Sequence, residues 1–320
     1  MTRLAGIATV ALSLAALTAD AGEPRIDFYQ GPCDASAAAA LDAEHFVVGA
    51  DEVDTLTIYR RGQSAAVASI DLASFLGTKV DQESDIEGAA AIGTRIYWIT
   101  SHGSNSKGKT QHSRQRFFAT DIVPGQLPSL KPAGEPYTKL LRDMDKARAL
   151  KPYQLGDAAK LPAEAEGGLN IEGLAATPAG TLLIGFRNPL PHQRALIVPL
   201  QNPADLIAGK TARFGASIEL DLGQRGIRSI TQVGGGYLIA AGPTADSGTF
   251  ALFKWSGLAT DAAIPVDVAL KNLRPEALFA TGLGNEVQLL SDDGGILVNG
   301  VECKKLPKTE QKFRSLIFKH

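Results

Sequence analysis

A β-propeller of five blades, with six as the alternative count, is the fold this sequence predicts, and three observations predict it. Asp-Ile-Glu-Gly-Ala-Ala-Ala at 85–91 returns as Asn-Ile-Glu-Gly-Leu-Ala-Ala at 170–176, and a unit recurring at tens of residues marks a repeat architecture. Each copy is followed by a polar turn and then an apolar run, at 95–100 and 181–186. Thirty-three Gly and seventeen Pro are spread along the chain, as many tight turns between short strands require.

Taken in order, the chain begins with an address. Arg3 is followed by an apolar stretch over 4–18 and by Ala19-Asp20-Ala21, which together read as a signal peptide over 1–21. The expected mature chain, 22–320, is one propeller domain, exported to a periplasm or secreted, and monomeric. No later stretch reaches the roughly 20 apolar residues of a membrane-spanning helix, so no membrane insertion is expected. The net charge of −2 gives no reason to expect nucleic acid as a partner.

With the two clear copies as template, three weaker ones appear at 34–38, 226–230 and 274–278, each followed by a second apolar run. Four short strands at about fifty residues per unit describe propeller blades. The gap between the second and third units is too long. It implies an insertion over 121–169, with a helix over 136–150 because its apolar positions are helically spaced. The fifth unit, ending on the runs 295–298 and 313–318, is short on its outer side, and 25–29 could supply an outer strand, since pairing the two chain ends closes the ring and removes exposed strand edges. Cys33 and Cys303 stand near the two ends of the mature chain. In an exported protein they are expected as a disulfide, worth about 4 to 5 kcal/mol for so long a loop in the chain-entropy model.

The residues 171–175, the Ser101-His102-Gly103 turn with its basic tail, and the runs 195–200, 226–230 and 238–243 appear in an order that resembles the bacterial domain-of-unknown-function family numbered 3616. The likeness covers nearly all of the mature chain. It implies an exported propeller, with a wider likeness to esterase-like phytase relatives and calcium-dependent lactonases that rests on the fold.

The start of each first strand and the end of each second strand converge on one mouth of a propeller. Aligning the units places Ser36, Glu87, Glu172, Arg228 and Glu276 at equivalent first-strand positions. The second-strand ends carry Asp51, Ser101 with His102, Arg187 with Asn188, Gly242, and Asp292 with Asp293. Three glutamates round a narrow channel repel one another unless neutralised. One solution is a Ca²⁺ held by Glu87, Glu172 and Glu276, with His102 as general base, Arg187 and Arg228 holding an anionic group, and Asp51, Ser101, Asn188 and Asp292 contacting the ligand. The other is a structural network in which the arginines pair with the glutamates. The first makes the chain a metal-assisted hydrolase of an ester, lactone or phosphoester. The alternative is a non-catalytic propeller binding an anionic small molecule, a glycan or a protein. Ser101 and His102 are sequence neighbours on an extended strand and do not form a triad, and no Gly-x-Ser-x-Gly elbow is present. The basic segment 101–116 reads either as a lid for a phosphate or acidic sugar or as a solvated loop.

Overall fold

The computed structural model describes residues 25–79, 82–245 and 247–320, so the expected signal peptide lies outside the described residues. Strand β1 (Arg25–Gln30) comes first and waits for a partner from the far end of the chain. Blade 1 is β2 (Ala35–Ala40), β3 (His45–Ala50), β4 (Thr55–Arg60) and β5 (Ala66–Asp71), followed by the single turn α1 (Ala73–Leu76). Blade 2 is β6 (Ile86–Ile92), β7 (Arg95–Thr100), β8 (Phe117–Val123) and β9 (Ser129–Tyr137). After two short helices, α2 (Leu140–Lys146) and α3 (Leu155–Ala158), blade 3 is β10 (Asn170–Ala176), β11 (Leu182–Asn188), β12 (Ala195–Leu200) and β13 (Ile218–Leu220). Blade 4 is β14 (Gly226–Val233), β15 (Gly236–Gly242), β16 (Ala251–Trp255) and β17 (Ile264–Val266). Blade 5 begins with β18 (Pro275–Ala280) and β19 (Glu286–Ser291). A hairpin of β20 (Leu297–Val298) and β21 (Val301–Glu302) then leads to β22 (Lys312–Lys319), which pairs with β19 on one side and β1 on the other.

The ring closes because each inner strand, β2, β6, β10, β14 and β18, packs on the next and β18 packs on β2. Between blades the core is mostly aliphatic, with buried aromatic pairs such as Trp98–Phe118 and Tyr237–Trp255 set into it. At the seam of blades 5 and 1 the aromatic rings gather into one cluster. Tyr29, wholly buried, lies 5.0 Å edge-on from Phe46 and 5.5 Å from the stacked ring of Phe313, so the first and last blade strands share one cluster. Glycine has a separate role beside the axis. A Cβ on Gly173 would lie 2.8 Å from the Ile227 side chain and 3.0 Å from the Gly185 backbone, so only glycine lets blades 3 and 4 approach that closely.

Three expectations change in detail. The helix expected over 136–150 appears as α2, Leu140–Lys146, followed by a 3₁₀ helix over Arg148–Tyr153, and it starts late because Pro136 and Tyr137 belong to β9, where Tyr137 pairs with Phe117. The excess chain therefore starts after Tyr137 rather than at 121, and its apolar face packs into the core of blades 2 and 3 through Leu140, Met144 and Leu155. The run 295–298 is no blade strand but part of the small hairpin that delivers Cys303, which is disulfide-bonded to Cys33 across 270 residues of sequence. No helix among the described residues is long and apolar enough to cross a membrane.

Replacing both cysteines by serine is expected to lower the unfolding free energy by roughly 3–5 kcal/mol, read as an earlier urea midpoint with an unchanged native far-UV spectrum. An unmoved midpoint would show that β1–β22 pairing and the aromatic seam hold the ring unaided.

Candidate functional site at the propeller mouth

One local irregularity builds the site, and it occurs five times. In every inner strand the pairing with the second strand skips one residue: between Ala35 and Ala37, Ile86 and Gly88, Ile171 and Gly173, Ile227 and Ser229, and Pro275 and Ala277. The skipped residues are Ser36, Glu87, Glu172, Arg228 and Glu276. A bulge leaves one residue out of the ladder and re-aims its side chain. Four of these five side chains line a cavity of about 840 Å³ at the mouth, while the serine hydroxyl instead donates to the Ile86 carbonyl of blade 2.

A second ring lies two residues earlier in each unit: Asp34, Asp85, Asn170, Gly226 and Arg274. All but the glycine line the same cavity. Sequence reasoning missed this ring, although the five-fold alignment contained it; two positions along a strand return to the same face. Phe250 and the tail of the insertion, Pro162 to Glu164, complete the walls and were not anticipated either.

The cavity has two electrostatic sides. On the side of blades 3 and 4, Glu172 is 2 % exposed and accepts hydrogen bonds from Arg187 Nη1 at 3.1 Å and Asn170 Nδ2 at 3.0 Å. Its other oxygen lies 2.9 Å from Arg228 Nε, close enough for an ion pair but without hydrogen-bond alignment, and Arg228 also pairs with Glu276. Arg187 reaches Glu164 at 3.2 Å and donates to the carbonyls of Pro243 and Ala245 at 3.1 and 2.9 Å. Burial works against the charge on Arg187, but Glu172 and Glu164 outweigh it and raise its pKa. Burial pulls the Arg228 guanidinium down, and Arg187 nearby adds to that. The arginines are thus neutralised by the protein's own carboxylates.

On the side of blades 1, 2 and 5 the carboxyls lack such partners. Burial first, then the neighbouring Asp292, pushes Asp34 up to about 8. Burial followed by Asp34 and Asp85 raises Asp51, and burial followed by Glu172 raises Glu87. Glu87 is 8 % exposed and makes no ion pair or hydrogen bond among the described residues. Buried oxygens of Asp51 and Asn170 also have no donor. Asp85 is better served: burial raises it to about 6, against Arg114 at 3.2 Å and the Ser101 hydroxyl, which donates to it.

Not every expected residue faces the mouth. His102, foreseen as general base, is 1 % exposed and outside the cavity lining. At a backbone φ of 55° its ring turns back, with Nδ1 2.8 Å from the Thr100 carbonyl, and burial lowers its pKa to about 4. Asn188 is also outside the lining: it ties the insertion tail down, donating to the carbonyls of Ala163 and Ala165 at 3.0 and 2.6 Å. Asp51, Asp292, Arg187 and Arg228 do line the cavity. The basic segment presents no free anion site. Arg114 pairs with Glu83 and Asp85, Arg116 donates to backbone carbonyls, and Lys107 and Lys109 point to solvent. Nor do the three glutamates fit a cation site. Glu172 and Glu276 are engaged by Arg228, and no three His, Cys, Asp or Glu side chains among the described residues are arranged to hold a metal ion.

Comparison with known proteins gives a family. A family profile described as protein of unknown function, DUF3616, matches residues 34–120 and 131–286. Comparison with curated protein sequences finds no match. Among solved structures, a glutaminyl cyclase from Myxococcus xanthus is 12% identical, with 93% of this chain and 97% of that chain covered at a TM-score of 0.45. A PQQ-bound aldose sugar dehydrogenase from Streptomyces coelicolor is 12% identical, with 92% and 98% covered at 0.45. A GH43_1 enzyme from Xanthomonas citri is 11% identical, with 90% and 87% covered at 0.47. Likeness at this level carries no chemistry across.

Two measurements test the electrostatics. Arg228→Ala leaves two buried glutamates without their shared cation and is expected to cost about 3–5 kcal/mol of stability; adding Glu172→Gln and Glu276→Gln should recover much of it. Asp34 has a folded pKa of about 8 against roughly 3.9 unfolded, so its contribution to stability is fully present below the unfolded value and is lost as pH rises through the folded one. Urea midpoints should therefore fall between pH 4 and pH 8, and Asp34→Asn should flatten that fall; an unchanged slope would remove Asp34 as its source.

Proposed function

We infer the function from the mouth itself, since this chain belongs to the DUF3616 family, which is described only as proteins of unknown function. We propose an exported propeller that binds a small polar molecule in the cavity at its mouth. The disulfide supports export, because such bonds persist in oxidising compartments. A volume of about 840 Å³ is of the size that encloses a small ligand.

One observation carries the reading. Arg187 and Arg228, which would have to receive an anion, are already held by Glu164, Glu172 and Glu276, whereas Glu87 is buried at the cavity with no partner. Nine carboxyl-bearing residues line the cavity against five cationic ones, which disfavours a purely anionic ligand to the extent that those carboxyls are ionised. A folded protein keeps a buried, unpaired carboxyl at a cost in stability, and binding is what the group is available for.

Hydrolysis of an ester, lactone or phosphoester is the second reading, favoured by a single feature. Burial and the neighbouring Glu172 raise the pKa of Glu87 and so favour its neutral form, and a positioned neutral carboxyl can protonate a leaving group. Calcium has no part in this reading, because Glu172 and Glu276 are engaged by Arg228.

Glu87→Leu separates binding from folding. The variant is expected to melt at the same temperature as the parent or higher, since it removes a carboxyl without a folding partner. It is also expected to lose the thermal stabilisation that a panel of sugars, amines, amino acids and organic acids gives the parent, roughly 2 °C or more for a saturating ligand. A panel led by citrate or phosphate, with hits surviving Glu87→Leu, would sink the reading.

A further inference from the structure

Within that binding reading, the class of ligand follows from which polar atoms of the cavity are left without partners. Unmet acceptors dominate. The Glu87 carboxyl has no donor among the described residues, and neither do buried oxygens of Asp51 and Asn170. Asn170 is 4 % exposed and donates its own N–H to Glu172, so its carbonyl oxygen is the end left over. Asp34 and Asp292 face one another across the seam of blades 1 and 5, joined by a backbone bridge. Glu87, Asp51 and Asn170 come from blades 2, 1 and 3, and with Asp34 and Asp292 they line one cavity.

Only one cation of the lining is in the opposite situation. Arg187 and Arg228 pair with glutamates, Arg114 with Glu83 and Asp85, and Lys304 with Glu52 at 3.5 Å. Arg274 makes no ion pair and no side-chain hydrogen bond among the described residues; its backbone N–H donates to the Ser291 hydroxyl. It leads into β18, and its carbonyl accepts from the Asp292 N–H, which places it next to the acid wall.

We propose that the cavity takes a small zwitterion whose ammonium group is received by Glu87, Asp51, Asn170 and the Asp34–Asp292 pair, and whose carboxylate is received by Arg274. An ammonium brings three donors and a positive charge to a wall of acceptors, which a hydroxyl cannot match. It also removes the repulsion among these carboxyls, because a nearby positive charge favours their ionised form. A guanidinium presents a fork suited to a carboxylate. A dication would leave Arg274 facing a like charge, and a diacid would face the wall.

Three probes with one five-carbon chain test this by calorimetry on the full chain: 5-aminopentanoate, pentylamine and pentanoate. The zwitterion is expected to bind at least about tenfold more tightly than pentylamine, and pentylamine more tightly than pentanoate, in line with the strength of charge-assisted contacts. Arg274→Gln should bring the zwitterion down to the level of pentylamine and leave pentylamine unmoved. Glu87→Gln, which keeps the shape and removes the ionisable group, should weaken both amines. Equal binding of all three, or pentanoate binding best, overturns the zwitterion. So does an absence of binding by all three in a protein whose panel hits still depend on Glu87, and in that case the binding reading itself stands. Loss of every Glu87-dependent hit would remove both.

Discussion

The residue that each inner strand leaves out of its ladder is the constraint from which the rest follows. A regular strand at the axis would direct alternate side chains between the blades and leave the channel to whatever fell there. The bulge takes one residue per blade out of that alternation. Because the same position is skipped in all five sheets, Ser36, Glu87, Glu172, Arg228 and Glu276 occupy equivalent places round one axis. The glycines at 88 and 173, which follow two of these residues, let neighbouring strands close on the axis. Position is thus set by the backbone, and chemistry by the residue placed there.

That division explains why the mouth is uneven. Buried ion pairs offer little net stability, but removing one partner of such a pair is costly. Arg228, set between Glu172 and Glu276, therefore acts as a lock between blades 3, 4 and 5. The same side of the cavity is tied down further by Arg187, which reaches the insertion tail through Glu164 and the loop after β15 through two carbonyls. Blades 1 and 2 have no counterpart of Arg228. Ser36 turns to a backbone carbonyl and Glu87 is left unpaired. A cavity with one rigid, neutralised side and one side of unmet acceptors has a direction built into it.

Much of the fold was legible because it is periodic. Ile-Glu-Gly at 86–88 and 171–173 counted the blades, the short fifth unit asked for β1, and the two cysteines stood where closure needed them. The boundaries of the insertion were less legible: 129–137 contains Pro132, Gly134 and Pro136, and reads as a strand only once β8 lies beside it. At the site, the bulge residues could be aligned from sequence, and their partners could not. Nothing local tells whether Glu172 meets a metal or Arg228, since that depends on which side chains three separate blades bring together. His102 was misplaced for the opposite reason. Its position at a strand end pointed to the mouth, and a single left-handed backbone angle turned it away.

The closure of the ring and the acid wall are parts of one problem. Asp34 precedes the first blade strand and Asp292 follows β19, so they are far apart in sequence and meet only when blade 5 reaches blade 1. Ionised together their carboxyls repel at the seam, which, after burial, is what raises Asp34. Three devices hold that seam shut beside them: the β1–β22 ladder, the cluster of Tyr29, Phe46 and Phe313, and the Cys33–Cys303 bond, whose Cys33 carbonyl accepts from the Asp293 N–H at 2.8 Å. An unclosed ring would relax the repulsion by separating the two acids. The seam is therefore reinforced where the cavity wall pushes it apart, and a ligand cation that quenched the repulsion would stabilise the closure as well as the binding.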